Sequence, residues 1–484
     1  MVFSTTVFLF LFLPLFLGVY YLLPFRYRSA WILTASLAFY GWWRLDFLVL
    51  MVATTVWSHV LCVAIARNLP MAPARARAAL TAGVLLNIGT LAYFKYFNFG
   101  VESLSALLGA LGGGEITAWQ VILPIGISFY VFQATSYLVD VYRGDAEPAQ
   151  NYVDMAAYIT LFPQLVAGPI VRYGHIAPQL RTREHSIPRF AEGAWRFMIG
   201  FARKVLIADT VASIADAGFS LGAPYAGDAW LALLAYAVQI FFDFAGYSDM
   251  AIGLGLMIGF RFPENFDRPY TSRTITEFWR RWHMSLSRWL RDYLYIPLGG
   301  NRRGARRTYA NLLTVMVIGG LWHGAAWTFV LWGAWHGVWL AAERLAGVGG
   351  SRGPGRTGVR PAAVRAVTAV AGNLYALAVV LFGWILFRSP DLATASDMAA
   401  GLTGAYGGGV SAAMAWQIEG QAVVALIAGI VLVYAGPLLG RTLHRPTVPA
   451  PALRLRDTAV SVLFLASVVK LVAESYSPFL YFQF

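Results

Sequence analysis

The chain is poor in charge and has almost no sulfur chemistry. Its one cysteine, Cys62, lies in an apolar run, which excludes a disulfide framework and a multi-cysteine metal site. Charged residues make up only 13% of the 484 positions, against about 25% in soluble domains. There is no Walker A loop, no HExxH helix and no GxSxG turn, and no spacing of His, Cys, Asp or Glu that suggests a metal site. Acids are fewer than bases, 24 Asp and Glu against 37 Lys and Arg, for a net charge of +13. The arginines cluster in short loops between apolar runs. That is the pattern of cytoplasmic loops, so nucleic acid is not the expected partner.

Apolar length is what the chain has in abundance. It is 58% hydrophobic with a mean hydropathy of +0.60. Segment after segment approaches the roughly 20 apolar residues that cross a bilayer. Candidate spans are 3–23, 29–45, 47–66, 78–97, 118–142, 192–214, 228–258, 310–342, 364–387, 421–440 and 457–473. The expected architecture is an all-α polytopic membrane protein, with one membrane domain over 1–484 and membrane lipid as its surroundings. The opening stretch has no basic n-region, and Arg26 and Arg28 follow its apolar run. It therefore reads as a first span with an extracytoplasmic N-terminus, not as a cleaved signal. Loop 101–117 lacks Lys and Arg and falls on the outer side, as does 401–412. The basic stretches 261–307 and 344–365 fall on the cytoplasmic side, and 344–366, rich in Gly, Arg and Pro, reads as a flexible loop.

Segment 310–342 is basic on both flanks, so both ends are expected on one face. About 34 residues are too few for two full crossings. A helical hairpin that does not fully cross, or two short or tilted helices, is the expectation, broken around Gly319, Gly320 and Gly324, with His323 at the turn. Broken helices at membrane depth need protein or a water-filled cavity around the freed backbone. An ionisable side chain there points to a functional cavity, and a neutral imidazole can serve as a general base near neutral pH. His336 is expected to pack. FPQLVAGPIVR (162–172) reads as another interrupted helix, with Arg172 at its cytoplasmic end.

A helix drawn through 278–294 puts Phe278, Trp282, Leu286, Trp289 and Tyr293 on one stripe and Arg280, Arg281, Arg288, Arg291 and Asp292 opposite. The reading is a cytoplasmic amphipathic helix, within about 270–300, with aromatics toward lipid and His283 facing inward. Asp243 and Asp249, in QIFFDFAGYSDMAIG (239–253), must pair, and the arginines of 268–291 are the expected partners. GLGLMIG (253–259) reads as close packing of small residues between helices.

Taken together, LPIGISFYVFQATSYLVDVYRG (123–144), FPQLVAGPIVR, QIFFDFAGYSDMAIGLGLMIGFRFPENFDRPY (239–270), EFWRRWHMSLSRWLRDYLYIPLGGNR (277–302), GGLWHGAAWTFVLWGAWHG (319–337) and the final SPFLYFQF resemble the membrane-bound O-acyltransferase (MBOAT) family. Within it, the chain is most similar to the bacterial branch of alginate O-acetylation. The resemblance implies a ring of tilted helices, some re-entrant or broken, around a central tunnel. It implies a catalytic His323 in the LWHG motif and a second site residue, His283, in RWHMS. A donor-binding or tunnel-lining role is further expected for Trp322, Trp282, Arg280, Arg281, Arg288, Asp243 and Gln239. No bound cofactor or metal is expected. Acetyl-CoA is the expected donor, and His283 is expected to orient it or to stabilise oxyanion charge. An extracytoplasmic SGNH-type acetyltransferase is the expected protein partner, a polysaccharide the final acceptor, and the bacterial inner membrane the location. A proton-coupled transporter, a membrane scaffold, and enzymes acting on peptidoglycan, cellulose or teichoic acid are the competing readings.

Overall fold

Long apolar runs fold as helices because, in hydrocarbon, each backbone N–H and C=O must be satisfied within its own segment. The computed structural model describes residues 1–348, 362–443, 450–474 and Leu480, and no β-strand occurs among them. The chain separates into two units, one of residues 1–197 and 247–263, the other of residues 198–246 and 264–484.

The first unit opens with a π-helical turn, Phe8–Phe12, that runs into α1 (Leu13–Leu22). It continues through α2 (Phe25–Gly41), α3 (Leu45–Asn68), α4 (Pro73–Ala110), α5 (Ile127–Arg143), α6 (Tyr152–Thr160), the single turn α7 (Phe162–Leu165), α8 (Tyr173–Arg181) and most of α9 (Ile187–Ala202). Two boundaries differ from expectation. Loop 101–117 is helical as far as Ala110, because its Leu and Ala residues favour helix until the glycines at 112–114. Conversely, 118–126, expected within a span, is irregular. Pro124 precedes Gly126, which sits at φ 73°, and a Cβ on Gly126 would lie 2.8 Å from the Leu165 carbonyl.

The interruption at 162–172 is as expected, with Arg172 as the N-cap residue of α8. Side chains fill the gaps in its backbone bonding. Gln164 Nε2 donates to the Tyr158 carbonyl at 2.7 Å, and the Tyr158 hydroxyl donates to the Val171 carbonyl at 2.8 Å. The 253–259 glycines pack as the sequence suggests: a Cβ on Gly253 would stand 2.6 Å from the Gly193 carbonyl.

The second unit takes in the end of α9, a π-helical stretch (Arg203–Ala208), α10 (Asp209–Phe219) and the first two-thirds of α11 (Ala226–Met257). After the short α12 (Ile275–Arg281) and α13 (Met284–Leu290) come α14 (Ala305–His323), α15 (Trp327–Leu345), α16 (Ala362–Arg388), α17 (Leu392–Leu402), α18 (Ala412–Gln417), α19 (Gly420–Leu443) and α20 (Ala450–Glu474). The central part of the 344–366 loop and most of SPFLYFQF lie outside the described residues. Among the described residues, four helices are long and apolar enough to cross a membrane: Leu45–Asn68, Pro73–Ala110, Ala226–Met257 and Ala366–Arg388. Two shorter apolar helices, Phe8–Leu22 and Gly420–Ala435, accompany them. The protein is an all-helical, multi-pass membrane protein.

The 310–342 segment is a hairpin, as its flanking charges imply, but the break is narrower. Gly319 and Gly320 stay helical, and only Gly324, Ala325 and Ala326 leave the helix. Gly320 serves close packing, since a Cβ there would lie 2.2 Å from the Phe329 carbonyl across the hairpin. Gly333 faces the Met316 carbonyl in the same way, at 2.3 Å.

The amphipathic helix over 278–294 is a correction. It is split at Trp282–His283 and turns π-helical at Arg291. Its aromatic stripe does not face lipid: Phe278, Trp282, Leu286 and Trp289 are buried in protein. The acids are also paired otherwise than expected. Asp243 meets Lys204 at 3.1 Å and Asp249 meets Arg196 at 3.0 Å. Lys204 follows α9 directly and Arg196 lies on it, so both are nearer to hand than the 268–291 arginines.

Candidate active site

The hairpin corner positions His323. It is the last residue of α14, and the chain turns back through Gly324, where a Cβ would lie 2.0 Å from the Phe329 ring. The imidazole is buried, and aromatic rings surround it. Trp322 stands 4.9 Å away, and Trp332 and Phe387 each 5.2 Å, all edge-on. The His283 ring is 6.3 Å away, so the two histidines of the separate sequence motifs come together.

His283 is built with more constraint. It occupies the left-handed region at φ 42°, unusual for a residue with a side chain and typical of strained functional positions. Asn265 holds the corner in place. Its main-chain carbonyl accepts the Met284 N–H at 2.9 Å. Its Oδ1 accepts the Ser285 N–H at 3.2 Å and the Ser285 hydroxyl at 2.9 Å, so Asn265 caps α13 from outside. The same oxygen lies 3.2 Å from His283 Nδ1. A backbone N–H that donates to this atom fixes it as the amide oxygen, which carries no hydrogen. Nδ1 must then hold the proton in this bond. Nε2 is left with its lone pair and has no hydrogen-bond partner among the described residues. Burial pushes the imidazole pKa down to about 3, so the ring is neutral and Nε2 accepts but does not donate.

The α12 segment that leads into this corner is fixed at its start. The buried Glu343 carboxylate of α15 accepts the Ile275 N–H at 2.5 Å, the Thr276 N–H at 2.8 Å and the Thr276 hydroxyl at 2.7 Å. The Tyr375 hydroxyl adds a fourth bond at 3.1 Å. Negative charge at a helix N-terminus is favourable, and here it ties α12 to the hairpin.

A cavity of about 780 Å³ opens beside His323. This is within the range of small-molecule sites, roughly 300–1,000 Å³. Leu286, Leu290, Val315, Met316 and Trp332 give it apolar walls, and Arg280, Arg291, Arg344, Asn301, Tyr295 and Tyr309 supply polar groups. Of the site residues expected from the sequence, His323 and Arg280 line it and His283 does not. Trp322 packs between the two imidazoles, 5.8 Å from His283. Trp282 is buried among Phe266, Tyr270, Phe278 and Trp384. Arg281 pairs with Glu277 at 2.6 Å and donates to Thr271 at 3.1 Å. Arg288 and Gln239 are not among the lining residues; Gln239 is buried. Asp243 is bound to Lys204 and to the Leu480 N–H, the latter at 3.0 Å. His336 is fully buried in mid-helix against Trp279 and Trp332, consistent with packing.

Asn265, Glu343, Arg291 and Arg344 were not legible as site residues. Glu343 carried a signal, as a lone acid near the end of an apolar helix. Asn265 lies 18 positions upstream of the histidine it holds, with no local signature.

A model of the membrane-bound O-acyltransferase family matches residues 146–349, which include His283, His323 and every cavity-lining residue. The chain is 48% identical to a probable alginate O-acetylase of Azotobacter vinelandii over the whole of both chains. It is 47% identical to that of Pseudomonas putida, again over the whole of both. A peptidoglycan O-acetyltransferase of Helicobacter pylori is 37% identical over 71% of this chain and 70% of its own. The chain therefore belongs to the membrane-bound O-acyltransferase family, in the branch of the alginate O-acetylases, and is an O-acyltransferase.

Proposed function

We propose that this acetyltransferase takes an acetyl group from a cytoplasmic thioester, acetyl-CoA, and passes it outward for O-acetylation of an alginate-like exopolysaccharide. The observation that carries this reading is that His323 shares a cavity wall with Arg280, Arg291 and Arg344. Guanidinium groups suit the phosphates of the donor, and the apolar wall near His323 suits its acyl end. The cavity is then the inner mouth of a passage through a ring of tilted helices in the inner membrane, with the N-terminus outside.

His323 acts as general base. It takes the proton of an acceptor hydroxyl, the hydroxyl oxygen attacks the thioester carbonyl, and the carbon–sulfur bond breaks as His323 returns the proton to the departing sulfur, which leaves as a free thiol. His283, neutral with a lone pair on Nε2, accepts a hydrogen bond from an N–H of the thioester donor and so orients the donor, while the one proton of the hydroxyl goes to His323. A ring without a proton on Nε2 does not stabilise an oxyanion, which narrows the wider role the family resemblance allowed it. The acetyl group then passes to an extracytoplasmic SGNH-type acetyltransferase that modifies the polymer. The Helicobacter relative makes peptidoglycan the second acceptor to try.

The test is release of free thiol from acetyl-CoA by purified, reconstituted protein. General-base catalysis contributes about 10²–10⁴-fold, so His323→Gln is expected to lower release by that factor at unchanged protein level. Wild-type release from the variant overturns the role of His323. No acetyl-CoA consumption by the wild type, with substrate appearing across the membrane instead, favours the transporter.

A further inference from the structure

The first unit contains a cationic cluster that the acyl-transfer chemistry does not use. Arg183, in the loop before α9, is only 8% exposed. Its guanidinium lies between the rings of Phe25 and Phe260, 4.9 and 4.7 Å from their centroids. None of its three nitrogens has a hydrogen-bond partner among the described residues. Cation–π contacts on both faces offset only part of what a buried charge loses on leaving water. Apart from a loose interaction with the Tyr20 hydroxyl, the edge donors of the group are without partners among the described residues.

Arg28 stands beside it, over the Tyr20 and Tyr21 rings at 4.9 and 5.7 Å. One of its terminal nitrogens lies 3.2 Å from His185 Nε2. Tyr20 gives its only proton to the Ile258 carbonyl at 2.8 Å, so His185 Nε2 donates to the Tyr20 oxygen at 2.9 Å. Neither Arg28 nor Arg183 forms an ion pair among the described residues. The nearby acids are taken: Glu184 pairs with Arg189 at 2.6 Å, and Asp154 accepts from Asn151 at 2.8 Å. Gly259, at φ 86°, forms the floor, where a Cβ would come within 3.2 Å of Arg183 and His185. Two adjacent guanidinium groups, closely built and lacking a counter-charge, form an anion site.

The surroundings indicate which anion. Leu11, Leu15 and Leu22 are all strongly exposed and, at about 100° per residue, share one face of the first helix with Gly18. That apolar strip ends at the cluster, beside the exposed Tyr21, Phe25 and Tyr27. Aromatic side chains of this kind sit at headgroup level, and basic pockets between helices take lipid phosphates. We propose that Arg28 and Arg183 hold the phosphate of an anionic phospholipid whose acyl chains lie along the Leu11–Leu22 face. Phe25, 38% exposed, covers the outer face of the Arg183 guanidinium.

The test is native mass spectrometry of the full-length protein in detergent, titrated with phosphatidylglycerol, with phosphatidylcholine, and with inorganic phosphate as competitor. The wild type is expected to hold one phosphatidylglycerol at least tenfold more tightly than Arg183→Gln, and to prefer it to phosphatidylcholine. If Arg183→Gln fails to fold, Arg28→Gln, half-buried at the rim, carries the same comparison. Displacement of the lipid by millimolar inorganic phosphate overturns the lipid assignment in favour of a free-phosphate site. Equal phosphatidylglycerol affinity in wild type and variants overturns the site altogether. Neither readout depends on acetyl transfer.

Discussion

The hairpin corner and the Lys204 cluster lie in the same unit and bury polar groups in opposite ways. Around Lys204 every charge is answered. Its Nζ contacts Asp243 and Asp209, and the second Asp243 oxygen takes the Leu480 N–H. At the corner, Asn265 fills one nitrogen of His283 and leaves the other open. The difference follows from charge. An unpaired ion in the interior loses several kcal/mol of solvation, so the cluster must be saturated. A neutral imidazole loses far less, so the fold can keep a nitrogen available to a substrate. At these two places in the second unit, buried charge is saturated and serves structure, while the neutral imidazole keeps a nitrogen free of protein partners.

Variants on the two sides break or sharpen this contrast. The largest effect is expected at His323. Its conversion to Gln costs about 10²–10⁴ in rate with an unfolding midpoint within a degree or two of wild type, read by thermal denaturation beside the thiol assay. A large fall in midpoint with activity retained would erase the distinction. Lys204→Met leaves the buried Asp243 carboxylate and the partly buried Asp209 carboxylate without Lys204 and is expected to destabilise by about 3–5 kcal/mol, seen as a lower midpoint and less protein in the membrane. Adding Asp243→Asn should recover much of that loss, and failure to do so would mean the charges are not coupled. Gly320→Ala pushes a methyl into the Phe329 carbonyl and is expected to cost about 1–3 kcal/mol. Its activity should fall as well, because the same contact sets the hairpin corner.

Asn265→Ala removes the bond that fixes the His283 proton. About 1 kcal/mol per hydrogen bond translates to a five- to tenfold loss of acetyl transfer. Nitrogen-15 chemical shifts of His283 should change from one neutral tautomer to a mixture; an unaltered spectrum would refute the orienting role.

Much of this was readable in the residues. The hairpin followed from arginines on both flanks of 310–342, and both histidines stood out as polar groups in apolar surroundings. The interruption at 162–172 was marked by Pro163, Gly168 and Pro169. The corner at His283 was not readable, because nothing in RRWHMS breaks a helix. The chain turns there because Asn265, far off in sequence, supplies the cap. The periodicity of 278–294 therefore described a continuous helix that tertiary bonding divides. The partners of Asp243 and Asp249 were missed for a related reason. Charge counting found the arginine-rich stretch, while the helix that packs against them carries one Lys and one Arg at the needed positions.

The bond from Leu480 to Asp243 has a practical corollary for anyone shortening the gene. Residue 480 lies 237 positions from the carboxylate it serves, so a deletion starting after Glu474 is not a harmless trim of a tail. It strips an amide donor from an anion deep in the interior, and its phenotype should be read as an electrostatic lesion in the heart of the bundle.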